Sequence, residues 1–153
     1  MSFRLQVPRS LYGEMIAHAR EETPNECVGL LAGFSPPAGT PTARAVKCYR
    51  LVNAAASPTE YLSDPRSMFD AVRDMRARGI DILAIYHSHP TSEPVPSRKD
   101  RERNYSPDVM NFIISLASNE PQVRAWWLTS DDHREAEWEL AGEDPPQSEE
   151  APP

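Results

Sequence analysis

The sequence predicts an α/β protein of the α+β kind, a mixed β-sheet flanked by helices. Three observations predict it. Short apolar runs bounded by breakers recur along the chain, two longer stretches carry apolar residues at helical spacing, and 153 residues is the length of one ordinary domain that can bury a core without staples. No internal repeat is visible.

The elements follow in order. Phe3, Leu5 and Val7 alternate with polar neighbours, the period of a half-buried strand, and Pro8 stops it. From Ser10, read as an N-cap, Leu11, Met15, Ile16 and Ala19 recur at helical spacing until Thr23-Pro24-Asn25 ends the pattern. Cys27 to Gly33 is a short apolar run directly after Glu26 and reads as a buried strand. Residues 34 to 42 are a Pro-containing connection, Ala45 to Leu51 a strand, and Asn53 to Pro58 a loop. Asp64-Pro65 starts a second helix, with Met68, Val72 and Met75 as its buried stripe and Gly79 just past its end. Ile80 to Ile85 is an apolar strand that delivers the chain to Tyr86-His87-Ser88-His89-Pro90. Ser97 to Arg103 is helix-like. Phe112 to Leu116, Val123 to Leu128 and Ala136 to Leu140 read as strands, so that Trp126 and Trp127 should alternate faces, one in the core and the other exposed or facing a partner.

Residues 1–141 are therefore expected to form one domain and residues 142–153, which are acidic, Pro-rich and have nothing apolar to bury, a disordered solvated tail. The chain carries 16 Lys+Arg against 23 Asp+Glu, a net charge of -7, which provides no electrostatic footprint for nucleic acid or an anionic membrane. A protein or peptide partner is expected instead. Two cysteines, Cys27 and Cys48, are too few for a disulfide framework and fit a reducing, cytoplasmic setting. The N-terminus lacks the apolar core of a signal peptide, and no stretch is long and apolar enough to cross a bilayer.

The chemistry concentrates around two histidines. On an extended segment alternate side chains share a face, so His87 and His89 can both reach one ion while Ser88 points away. A catalytic metal site needs a third protein ligand. Asp100 is the candidate, returning from a helix start beyond a loop stiffened by Pro90, Pro94 and Pro96. Each element has a plainer reading: His-x-His pairs occur at strand ends without a metal, Ser97 to Asp100 is an ordinary capping box, and Glu26 alone is a strand-end carboxylate. The capping and ligand readings are compatible, because a helix start also holds Asp100 facing the strand. His18 and His133 have no ligand-like spacing and read as surface or packing residues.

The string His87-Ser-His-Pro, six residues, then Ser97-x-x-Asp100, with Glu26 heading an apolar Gly-containing strand, resembles the signature of the JAMM, or MPN+, metallopeptidases, in particular their small stand-alone bacterial members. Similarity extends from about Leu11 to Asp100 and takes in Asn53 and Tyr61-x-x-Asp64-Pro65. The resemblance implies a cytidine-deaminase-like mixed sheet with helices on it, and one Zn2+ held by His87, His89 and Asp100 with a water as fourth ligand. It further implies that Glu26 carries the water's proton to the leaving amine and that Ser97 steadies the charge of the tetrahedral intermediate. Ser88 is assigned no chemistry.

Family members hydrolyse peptide or isopeptide bonds after a flexible C-terminal tail, which in well-known cases ends in Gly-Gly and belongs to ubiquitin or a ubiquitin-like protein. The implied substrate of a compact member is a small ubiquitin-like sulfur carrier. Asn53 to Tyr61 could offer an edge to such a tail. Roughly ten residues separate Asp100 from the next apolar strand, too few for the insertion that larger members use to select a ubiquitin linkage. Two other readings remain open at this level, a zinc amidohydrolase for a small peptide or metabolite and a noncatalytic MPN interaction module. A nucleobase deaminase is excluded, since it needs His-x-Glu and Pro-Cys-x-x-Cys.

Overall fold

The computed structural model describes residues 3–142 apart from 38, 40 and 105. Its elements are β1 (Arg4–Pro8), α1 (Arg9–Glu22), β2 (Val28–Gly33), β3 (Thr42–Leu51), α2 (Pro65–Arg78), β4 (Asp81–His89), α3 (Arg98–Glu102), β5 (Met110–Ser115), β6 (Gln122–Leu128), β7 (His133–Glu135) and β8 (Trp138–Ala141). The strands form one mixed sheet in the order β7-β6-β5-β4-β2-β3-β1-β8. This is the α+β arrangement that the sequence predicts.

The sheet is curled, and its connectivity shows why. β7 and β8 are its two edges, yet only Ala136 and Glu137 separate them. In a flat sheet eight strands wide those edges would stand roughly 34 Å apart, whereas the short link spans about 10 Å. The link is itself bonded to both sides, Ala136 N–H to the Ala125 carbonyl (2.8 Å) and Leu5 N–H to the Glu137 carbonyl (3.2 Å).

Two apolar layers follow from strand alternation. Inside the curl, Leu11, Met15, Ile16 and Ala19 of α1 pack among Leu5, Val7, Leu31, Tyr86, Phe112 and Trp127. On the outer face, Ala71 and Met75 of α2 cover Val28, Leu30, Leu51 and Ile85. The α2 ends are as predicted: the Asp64 side chain accepts from Ser67 N–H, and Gly79 takes the left-handed φ of 71° that closes the helix. The expected Ser10 cap is corrected, because α1 begins at Arg9 with Pro8 as its N-cap and no side-chain bond there.

Two further expectations change. Of the strand expected over 136–140, residues 138–140 lie in β8, whereas Ala136 and Glu137 form the link to β7, a strand on the opposite edge that the sequence does not predict. Trp126 and Trp127 do alternate, but both are buried: Trp127 joins the inner core, and Trp126 lies against Val95 and donates its indole N–H to the Pro94 carbonyl. An outer face presumed open is covered by the Pro-rich loop. Of the expected tail, Gly142 is described and accepts a hydrogen bond from Arg44; from Glu143 onward it lies outside the described residues. No helix among the described residues is long and apolar enough to cross a membrane.

Gly29 and Tyr86 form a directly opposed β2–β4 pair, and a Cβ at Gly29 would meet the Tyr86 ring at 2.2–2.3 Å. The fully buried ring has nowhere to move. Gly29→Ala should lower stability by about 3 kcal/mol, read as a shifted urea midpoint; an unchanged midpoint would mean that the ring does not lie over Gly29.

His18, expected as surface or packing, is buried, and its Nδ1 lies 2.8 Å from the Tyr86 hydroxyl. Burial, aided by the Arg50 charge and opposed by Glu21, pushes its imidazole from 6.5 down to about 4. As pH falls below 6.5 the unfolded chain takes up the proton first, so His18 progressively subtracts stability until about pH 4. Between pH 7 and 4, wild type should therefore lose about 3 kcal/mol more than His18→Asn, measured by denaturation at each pH. A pH-independent difference would contradict a buried neutral imidazole.

Candidate metal centre and buried carboxylate

β4 ends between β2 and β5, and His87 and His89 stand on the outer face of its last turn of pleat, as their spacing predicts. Val28 pairs with His87, so the residues preceding β2 run alongside Ser88 and His89. Ser88 N–H donates to the Cys27 carbonyl (3.3 Å), and Cys27 N–H returns a bond to the buried Ser88 hydroxyl (2.8 Å). Ser88 thus fastens the two histidines to the segment that carries Glu26.

Asp100 arrives from α3. Its Oδ1 lies 3.2 Å from His87 Nε2, its Oδ2 lies 3.1 Å from His89 Nε2, and the two Nε2 atoms are 3.2 Å apart. Among the described residues these three form a group able to hold a metal ion, with one ligand atom from each all within 4.8 Å of one another. The capping box is also present: Asp100 N–H donates to Ser97 Oγ (3.1 Å), and Ser97 N–H donates to Asp100 Oδ2 (2.9 Å). Both readings of Asp100 hold at once.

The hydrogen-bond chemistry of this cluster asks for a cation. His89 Nδ1 lies 2.7 Å from the Glu93 carbonyl, an acceptor, so Nδ1 carries the hydrogen and a neutral His89 offers a bare Nε2 lone pair to the Asp100 carboxylate. Two acceptors facing each other at 3.1 Å need a positive charge between them or a proton on the ring. Burial works against a charged His89, yet Asp100 and the Glu93 carbonyl hold its pKa above the ordinary value. Burial likewise opposes the Asp100 carboxylate, and His87 and His89 override it, holding Asp100 well below the usual carboxylate range. A metal at this point would satisfy all three ligand atoms, with the Glu93 carbonyl orienting His89 from behind.

Glu26 is 3% exposed, and its Oε1 has no hydrogen-bond partner. Burial, with Asp100 and Glu60 adding to it and His89 and Lys99 opposing, pushes its carboxyl up to about 8. A buried carboxyl with an unpartnered oxygen, close enough to His89 and Asp100 to feel their charges, is an arrangement that costs stability and can serve proton transfer.

Neighbours outside the expected set complete the site. Tyr61 stacks on His87 with ring centroids 4.6 Å apart. Glu60 beside it pairs with Arg103 (2.9 Å) and Lys99 (3.7 Å), tying the 53–63 segment to α3. Asn53 pairs with Ser63 in an isolated bridge, so the segment proposed as a free edge is partly closed on itself. The indole of Trp126 and the Ser115 hydroxyl, which donates to Ser92 O (2.6 Å), hold the loop carrying the Glu93 carbonyl. Tyr61 and Asn53 lay within the family-like stretch, but Glu93 and Trp126 had no signal, because their roles depend on a carbonyl and on a loop crossing.

Fold and site together define a hydrolase of the JAMM peptidase class. The chain belongs to the prokaryotic homologs of the JAB domain, whose family model matches residues 8–129. It is 34% identical to the desampylase of Haloferax volcanii over 139 residues, covering 88% of this chain and 94% of that one. The CysO-cysteine peptidase of Mycobacterium tuberculosis is 34% identical over 111 residues (72% and 73% of the two chains). A probable TtuB-protein conjugate cleaving protease of Thermus thermophilus is 39% identical over 97 residues (63% and 60%). Among solved structures, protein DSY2949 of Desulfitobacterium hafniense superposes with a TM-score of 0.82 at 34% identity, covering 91% of this chain and 94% of that one.

Proposed function

We propose that the protein is a zinc-dependent peptidase or isopeptidase that cuts after the C-terminal Gly-Gly of a small ubiquitin-like sulfur-carrier protein, in the reducing cytoplasm where its two buried thiols stay free. The observation that carries the reading is the convergence of His87, His89 and Asp100 beside a buried carboxyl with an unpartnered oxygen. The relatives support the substrate class, since one is named for cleaving TtuB-protein conjugates and another as a CysO-cysteine peptidase.

His87 and His89 through Nε2 and Asp100 through a carboxylate oxygen would hold the ion, a ligand set suited to Zn2+. Zinc bound there would act as a Lewis acid, making an attacking water more acidic and polarising the scissile carbonyl. Glu26 accepts the proton of that water and hands it to the leaving nitrogen. Its elevated affinity for protons suits the second half of this task, and a nearby positive charge restores the carboxylate needed for the first. Ser97 is exposed at the mouth of the site, and because its oxygen accepts from Asp100 N–H, its own hydrogen remains free to be aimed at the negative charge that develops on the carbonyl oxygen. Tyr61 against His87 excludes water from one side of the cluster and lowers the local dielectric.

The test is intact-mass analysis of a ubiquitin-like sulfur carrier extended by a few residues beyond Gly-Gly, incubated with zinc-loaded wild type and with Glu26→Gln. Cleavage after the second Gly by wild type alone is expected. An intact carrier with fully zinc-loaded wild type would overturn the substrate class and turn the reading towards a small amide substrate or a noncatalytic module.

A further inference from the structure

Glu26 lies two residues ahead of β2, where the strand ladder has not begun, so something else must hold its peptide groups. Its N–H donates to the Ser57 carbonyl (2.9 Å), and its carbonyl accepts from Nδ2 of Asn53 (3.0 Å). Asn53 uses its whole carboxamide here. Nδ2 also donates to the Glu60 carbonyl (3.1 Å), and Oδ1 accepts from Ala55 N–H (3.0 Å) and Leu62 N–H (2.9 Å). These four bonds match the capacity of two donors and two lone pairs.

The two halves of the amide have different purposes. The Oδ1 bond to Ala55, two residues on, is an Asx turn, an ordinary way to shape a loop after a strand. The two Nδ2 bonds run elsewhere: one to the backbone of the buried carboxylate residue, the other to the residue just before Tyr61, whose ring lies on His87. A loop-forming role does not call for them.

We infer that Asn53 is a positioning residue, whose Nδ2 holds the Glu26 main chain and the Tyr61 segment in register with His87, His89 and Asp100. The inference rests on the reading of Glu26 as the proton carrier. Glu26 extends from a short segment outside the strand ladder, so its carboxyl is only as well placed as the bonds that hold that backbone, and a shift of about 1 Å at such a group costs up to roughly 100-fold in rate.

Two variants isolate the donor. Asn53→Asp keeps the Oδ1 acceptor and its turn but cannot donate, and Asn53→Ser keeps a turn-forming oxygen without adding charge. In the zinc-loaded protein without substrate, both should speed hydrogen exchange of the Glu26 amide by about tenfold or more and leave the β2 and β4 amides and zinc affinity unchanged. On the extended carrier, kcat should fall roughly 10- to 100-fold with KM within about threefold, and adding either change to Glu26→Gln should cause no further loss. Unchanged Glu26 exchange, an unchanged kcat, or a full additional loss in the Glu26→Gln background would each overturn the inference. If wild type leaves the carrier intact, the proposed substrate fails by itself, while the exchange result still decides whether Asn53 holds Glu26.

Discussion

Glu26→Gln should lower turnover by about 1,000-fold while the protein keeps its zinc and loses no stability. The two halves of this result come from the same facts. The Glu26 carboxyl is buried, its Oε1 has no partner, and burial raises its pKa to about 8, so folding gains nothing from it and bears its desolvation. A neutral amide of the same shape removes that penalty, and the melting temperature should stay level or rise. Rate measurement alongside metal analysis and thermal unfolding reads all three quantities. A variant that loses its metal or melts lower would show Glu26 to be a ligand or a structural group.

The second large effect is loss of the metal. Asp100→Ala and His87→Ala should each weaken zinc binding by more than about 100-fold and reduce cleavage to background. They should differ in stability, because Asp100 also closes the capping box of α3, worth about 1 kcal/mol, whereas His87 caps nothing. Chelation provides the internal control: at free zinc 100 times the dissociation constant, removing it should destabilise wild type by about 2.7 kcal/mol and leave Asp100→Ala unmoved. Metal-free Asp100→Ala protein that still cleaves would sink the ligand assignment.

Much of this architecture is legible in the sequence wherever local chemistry decides the outcome. Asp64-Pro65 and Gly79 bound α2 because an N-cap carboxylate, a proline at the first helical position and a left-handed glycine act within one turn of chain. His87 and His89 share a face because strands alternate, and Ser97 and Asp100 meet because a capping box does. The sequence is silent where distant segments decide. β7 is three residues long and largely exposed, too short for a period to show, yet it sets one edge of the curl, and that β8 pairs with β1 at the other edge has no local signal. The burial of both Trp126 and Trp127 follows from a loop crossing the outer face, which alternation along β6 cannot reveal. Asn53 looks like any loop asparagine until its Nδ2 is seen to reach Glu26 and Glu60, residues 27 and 7 positions away.

The most direct test of the metal centre is X-ray absorption at the zinc edge of the loaded wild-type protein, with His87→Ala beside it. One zinc per chain is predicted, ringed by nitrogen and oxygen at roughly 2.0–2.1 Å, with the outer scattering of two imidazoles falling to one in any zinc the variant retains. A sulfur shell near roughly 2.3 Å, or a spectrum that His87→Ala leaves unchanged at full occupancy, would place the metal elsewhere and contradict the account.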